Sequence, residues 1–245
     1  MLKERPIVLS IAGFDPCGGA GVLADIKTIE QHQVQGMAII TAHTIQTEQE
    51  VAALEWQPLD LILTSIRILA EKYPVSVAKI GIVSGFDFLH KIVDAIKQLN
   101  ENAFIVWDPI ISSSSGRQFF EMDDVTCWKK LAPHIDLITP NYLEYELLKA
   151  YEIWSTANAI LIKGGHRDQL KGTDLLIQNK NHIEIFPTAE SVHAKHGSGC
   201  VLSAAIASNI ALGYDLPEAC RLGKIYVERF LNSHPSLLGY HHYVS

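Results

Sequence analysis

The stretch "PIVLSIAGFDPCGGAGVLADIKTIEQHQVQGMAIITAHT", residues 6–44, sets two apolar runs on either side of a Gly-rich turn and an amphipathic segment. "PIVLSIAG" is short, rich in β-branched residues and closed by glycine, which predicts a buried strand. From about Ala20 to Gln33 the apolar residues recur at helical spacing, and "GMAIITAHT" returns to strand character. Strand, helix, strand is the building unit of an α/β fold.

The alternation continues outward from this unit. Helices are expected near Asp60 to Lys72 and Phe88 to Leu99, with strands at "VAKIGIV", "AFIVWDP", "HIDLITP" and "NAILIKGG". A helix opens at Asn141, two short strands "TDLLIQ" and "HIEIFP" flank the turn "NKN", and helices from Ser198 to Leu212 and Leu216 to about Asn232 close the pattern. This predicts a mainly parallel sheet with helices on both faces and right-handed crossovers. With 245 residues, 48% of them hydrophobic, residues 1–245 are expected to form one domain around a sizeable core.

Composition excludes several function classes. A formal charge of −7 without a dense Lys/Arg run offers no footprint for nucleic acid. No stretch approaches the roughly 18 apolar residues of a membrane span. The N-terminal apolar run is too short for a signal peptide and leads into the Gly-rich turn, so a cytoplasmic location is expected. Cys17, Cys127, Cys200 and Cys220 are scattered without a C-x-x-C, which supports neither a disulfide framework nor a zinc site. The C-terminal "GYHHYVS" reads as a solvated tail.

In an open parallel sheet ligands gather at the carboxyl ends of the strands, where Asp15, Asp108, Asn141 and Lys163 fall. "HGSGC" places Gly197, Ser198, Gly199 and Cys200 directly before an apolar helix. Unpaired N–H groups at a helix start attract an anion, and glycines let it approach. Alternatively, Ser198 is an N-cap and the glycines form a tight turn. A thiol in a first helical turn sits where its pKa tends to fall, so Cys200 is a candidate base or positioning group.

The remaining signals each carry two readings. Asp25 lies one helical turn beyond Gly21 and is either an exposed helix carboxylate or a ligand group. Gln46 can donate and accept together, as an aminopyrimidine edge requires, or is simply solvated. Asn141 and Glu144, three apart, form something close to a capping box or help organise a metal. Asp108 ends an apolar strand and suits Mg²⁺ through water. Lys163 stands before two glycines, within reach of nucleotide phosphates or as a polar strand terminus.

In order, "IAGFDPCGGAGVLADIKT", "TAHTIQT", "KIGIVSG", "WDPI", "ITPNYLEYELL", "LIKGGH" and "HGSGCVLSAAIA" resemble the hydroxymethylpyrimidine/phosphomethylpyrimidine kinases of thiamine biosynthesis, in the ribokinase-like superfamily. The family's usual forms are SDPSGGAG, Thr-Ala-x-Thr-x-Gln, KIGM, DPV, TPN-x-x-E, VKGGH and HGTGC. The resemblance implies a three-layer sandwich that transfers the γ-phosphoryl of MgATP to 4-amino-5-hydroxymethyl-2-methylpyrimidine and then to its monophosphate. It implies pyrimidine contacts from Asp25 and Gln46, with Gly13, Ala20, Ile82 and Ile110 in the same pocket. Gly197 to Cys200 match the anion hole, Asp108 and Glu144 the Mg²⁺ network, and Asn141, Glu144 and Lys163 the nucleotide side. A homodimer is also implied.

The chain departs from the pattern in three places. The segment between Glu144 and Lys163 is short, Ser114 stands where many relatives carry lysine, and "HAK" precedes the helix motif. Lys195 there either supplies a compensating charge or faces solvent. A vitamin B6 kinase and a non-catalytic pyrimidine binder are the competing readings.

Overall fold

Nine strands lie in the order β3-β2-β1-β4-β5-β6-β7-β8-β9 in one sheet of the computed structural model, which describes residues 4–112, 116, 118–122, 125–149, 153–166, 172–189 and 193–242. The strands are β1 (Ile7–Phe14), β2 (Gln35–Gln46), β3 (Val51–Trp56), β4 (Val75–Ile80), β5 (Phe104–Trp107), β6 (Leu137–Ile138), β7 (Ala159–Ile162), β8 (Asp174–Gln178) and β9 (Asn181–Ile185). Those from β2 to β7 along the sheet run parallel, and β3, β8 and β9 pair antiparallel at the two edges.

The helices are α1 (Gly21–Gln31), α2 (Leu59–Lys72), α3 (Phe86–Leu99), α4 (Trp128–Leu131), α5 (Tyr142–Lys149), α6 (Ser198–Ala211) and α7 (Leu216–Leu231). They divide between the faces as β1 dictates. Its Ile7, Leu9 and Ile11 pack with Ile62 and Ile66 of α2 and Phe86 and Leu89 of α3. Val8 joins Ala24 and Ile29 of α1, most of α6, and α7 on the other face. Burial on both sides explains why the strand reads as an unbroken apolar run.

Helix α6 is buried almost all round and consists largely of Ala, Ser and Gly with branched residues between. Small side chains let it lie close to its neighbours: a β-carbon on Gly223 of α7 would come within 2.7 Å of Ile206. The sheet and α7 thereby fix where the start of α6 points. Among the described residues no helix is long and apolar enough to cross a membrane.

Two expectations need correction. The hairpin partner β3 was not expected, because "VAALEW" lacks a clear two-residue alternation and its pairing comes from β2. The C-terminal tail is solvated only in part: Tyr240 and His242 are exposed, but His241 is not. His241 packs at a tilt against Phe230 with ring centroids 4.9 Å apart, and its Nδ1 lies 3.0 Å from the Tyr226 hydroxyl.

Candidate active site

The carboxyl ends of the parallel strands surround a cavity of about 300 Å³. Gly13 reaches it from the end of β1, Gln46 from β2, Asp108 from just after β5, Asn141 from beyond β6 and Lys163 from beyond β7. The start of α6 closes the floor with Gly197, Ser198, Gly199 and Cys200. Ala20, Ile82 and Ile110 supply apolar wall, and Glu144 completes the side nearest Lys163.

The anion-attracting geometry is built by glycine. Gly197, not Ser198, is the N-cap of α6, at φ 72°. A β-carbon there would meet the Gly19 carbonyl oxygen at 1.9 Å, so no other residue fits without moving the Gly-rich turn. The first intrahelical bond is donated by Val201 N to Gly197 O, 3.0 Å, which leaves the N–H groups of Ser198, Gly199 and Cys200 outside the helical ladder beside the cavity. Gly199 faces charged side chains: a β-carbon on it would sit in tight contact, 3.2 Å, with Lys163 Nζ and 3.7 Å from Asp108 Oδ2.

Those two side chains form a charged pair. Lys163 Nζ donates to Asp108 Oδ1 at 2.7 Å, and Thr139 Oγ1 donates to the same oxygen at 3.1 Å. Ser203 Oγ of α6 lies 3.2 Å from Asp108 Oδ2. Burial opposes charge on Asp108, but Lys163 and Lys79 outweigh it and hold the carboxyl below the ordinary aspartate range. Asn141 and Glu144 form a reciprocal capping box: Asn141 N donates to Glu144 Oε2 at 2.7 Å, and Glu144 N donates to Asn141 Oδ1 at 2.9 Å. Burial pushes the Glu144 carboxyl up to about 7, Lys163 pulling against it and Asp108 adding to it.

Those two carboxyls test whether a hard divalent cation suits the site. Asp108 is held ionised by Lys163 and Lys79, and Glu144, raised chiefly by burial and further by Asp108, adds a second buried carboxyl beside the same cavity. Oxygen donors facing a cavity with room for water are what Mg²⁺ prefers.

Cys200 differs from its expected state. The helix start was expected to lower its pKa, but burial pushes the thiol up to about 11, with Lys79 opposing and Asp25 and Asp108 adding to the rise. The thiol is neutral near pH 7.

Asp25 also departs from expectation, because it does not line the cavity. Its side chain is wholly buried, accepts from Ser10 Oγ at 2.6 Å, and is paired with Lys79 Nζ at 2.9 Å. The signal in the sequence for Lys79 is its place inside the apolar run "VAKIGIV", where a buried charge needs a partner. Lys195 does not face solvent: it is buried at the cavity edge and its ammonium donates to the His234 carbonyl of the tail. Ser114 lies outside the described residues, as do residues 150–152 of the short segment before Lys163.

The architecture belongs to the ribokinase-like small-molecule kinases. The Staphylococcus aureus pyridoxal kinase in complex with AMP-PCP and pyridoxal matches it with a TM-score of 0.79, covering 94% of this chain and 89% of that one, at 23% identity. That likeness is one of fold. Closer likeness comes from phosphomethylpyrimidine kinase of Clostridium difficile 630, with a TM-score of 0.76, 33% identity, and coverage of 91% of this chain and 98% of that one. The hydroxymethylpyrimidine/phosphomethylpyrimidine kinase of Aquifex aeolicus (strain VF5) is 34% identical over 94% of this chain and 96% of its own length. The family model described as phosphomethylpyrimidine kinase matches residues 15–245. The chain belongs to the phosphomethylpyrimidine kinase family, a family of phosphotransferases.

Proposed function

We propose that the protein phosphorylates 4-amino-5-hydroxymethyl-2-methylpyrimidine and then its monophosphate, with ATP as donor, in thiamine biosynthesis. The observation that carries this reading is the meeting of three unbonded helix-start N–H groups with the Lys163–Asp108 pair and Gln46 in one cavity. Gln46 donates to and accepts from the aminopyrimidine edge, while Ile82 and Ile110 flank the ring beside Gly13 and Ala20. Asp25 supports this wall through Lys79 rather than touching the ring.

The Ser198, Gly199 and Cys200 N–H groups hold the transferred phosphoryl oxygens, with Gly197 setting their direction. Phosphoryl transfer depends mainly on alignment and charge stabilisation, so these fixed donors contribute more than a base would. Cys200, being neutral, orients the acceptor oxygen without repelling a phosphorylated acceptor. Lys163 reaches the nucleotide phosphates, and Asn141 fixes the Glu144 carboxylate opposite them. Asp108 and Glu144 would hold Mg²⁺ through water. Bound there, Mg²⁺ would neutralise phosphate charge as it shifts toward the leaving group.

A homodimer working in the cytoplasm completes the proposal, on the strength of the family resemblance. Calorimetric titration of the pyrimidine and of ATP into wild type and Gln46→Ala tests the pocket assignment. Pyrimidine affinity should fall at least tenfold more than ATP affinity; equal losses would remove Gln46 from the acceptor pocket.

A further inference from the structure

The scattered cysteines give no metal-binding spacing in the sequence, yet the fold brings residues 15 and 17 against residue 196. Asp15 Oδ2 lies 3.2 Å from Cys17 Sγ and 3.0 Å from His196 Nε2. One carboxylate oxygen, one thiol and one imidazole nitrogen all fall within 4.8 Å of one another. The proposed phosphoryl transfer uses none of these three atoms.

The cluster is rigidly mounted. The Asp15 carboxylate is 1% exposed and accepts from the backbone N–H groups of Cys17, Gly19 and Ala20 at 2.9, 3.1 and 2.8 Å. His196 is fixed from the opposite side, its backbone N–H donating to the Leu237 carbonyl at 2.9 Å. Asp15 and His196 both line the cavity, so one side of the cluster opens to it.

We propose that Asp15, Cys17 and His196 form a binding site for a borderline-soft divalent metal, of which Zn²⁺ is the best match. Sulfur, nitrogen and oxygen donors together suit Zn²⁺ and Co²⁺ rather than Mg²⁺. Tetrahedral zinc with these donors sets its ligand atoms about 3.3–3.6 Å apart. The observed contacts to Asp15 Oδ2 therefore need to open by only about half an ångström or less. The cation takes the place of the thiol and imidazole hydrogens now directed at Asp15 Oδ2, which keeps its bonds from Gly19 N and Ala20 N: the thiol proton goes to solvent, and His196 binds through Nε2 with its proton on Nδ1. A water or anion oxygen from the cavity fills the fourth position. The site is separate from the Asp108 and Glu144 carboxyls and does not depend on the acceptor's identity.

Cobalt is the probe, titrated into protein freed of metal by a chelator and then dialysed, in buffer without ATP. Wild type should take up one equivalent and develop a thiolate-to-cobalt charge-transfer band in the near ultraviolet, which Zn²⁺ bleaches. Cys17→Ser keeps a hydroxyl to bond Asp15 but should lose the band and bind at least about tenfold more weakly, since even changes outside the ligand set cost 10–100-fold. Cys127→Ser should behave as wild type. X-ray absorption of the zinc-loaded wild type should find one sulfur among nitrogen and oxygen neighbours, independently of how the variants fold. No band in wild type, an unchanged band in Cys17→Ser, loss of the band in Cys127→Ser, or a zinc shell without sulfur would each overturn the assignment.

Discussion

Lys79 Nζ on β4 lies 2.9 Å from Asp25 Oδ2 on α1, and neither side chain has any exposed surface. Burial disfavours the ammonium, but the attraction of Asp25 more than offsets this and keeps Lys79 charged. The pair pins α1 to the sheet directly behind Cys200, whose thiol feels both charges. Lys79→Met would leave a buried carboxylate without its cation. Stability should fall by about 3–5 kcal/mol in a denaturant titration, while the double variant Asp25→Asn with Lys79→Met recovers part of that loss.

Gly197 and Gly199 differ in what a side chain would strike, which separates folding from turnover. Gly197→Ala combines a left-handed φ with a collision against the Gly19 backbone, and should lower stability by more than about 2 kcal/mol. Gly199→Val projects toward Lys163 Nζ instead. It should lower the unfolding midpoint less than Gly197→Ala does, because the end of a side chain rather than backbone must give way, while kcat falls by about 10²–10³, the loss expected when one oxyanion-type donor is blocked. Paired unfolding and ADP-release assays check both.

Asn141→Ala removes half of the capping box and the restraint on Glu144. About 1 kcal/mol of stability should be lost, the usual cost of a missing N-cap side chain. KM for ATP should rise while KM for the pyrimidine stays near wild type; a change confined to the pyrimidine would place Glu144 on the other side of the cavity.

The C-terminal tail should respond to acid through His241. Burial lowers its pKa to about 4, with Lys27, His242 and His32 adding repulsion, against 6.5 for an ordinary histidine. Between those values the unfolded chain binds the extra proton and the folded one does not, so stability falls as pH drops from about 6.5 toward 4. His241→Phe keeps an aromatic ring against Phe230 and should flatten that part of a stability profile measured against pH.

Much of this was legible in the sequence where local pattern and tertiary environment agree. The segment from β1 through β2 was expected within one or two residues, because an apolar strand, a Gly-rich turn and an amphipathic helix each have a local signature. Gln46, Asp108, Asn141 and Lys163 stand at or just beyond strand ends, Glu144 follows Asn141 in the first turn of α5, and the fold gathers these ends into one cavity. The surroundings of Asp25 were not legible, because helical spacing does not tell which face of α1 the sheet covers with Ser10 and Lys79. The thiol of Cys200 was misjudged for a related reason: a helix start lowers a pKa locally, whereas burial by the surrounding layers raises it. The neighbourhood of Asp15, Cys17 and His196 spans about 180 residues of sequence and exists only once β1 and α6 are packed together.

ADP release with MgATP, compared across hydroxymethylpyrimidine, its monophosphate, pyridoxal and no acceptor, tests the central claim most directly. Turnover with both pyrimidines, well above pyridoxal and the blank, is the result predicted by Gln46, the helix-start donors and Lys163 acting in one cavity. Turnover with pyridoxal alone would contradict it and assign the pocket to vitamin B6 chemistry, and pyrimidine binding without any ADP release would contradict it by making the protein a binder.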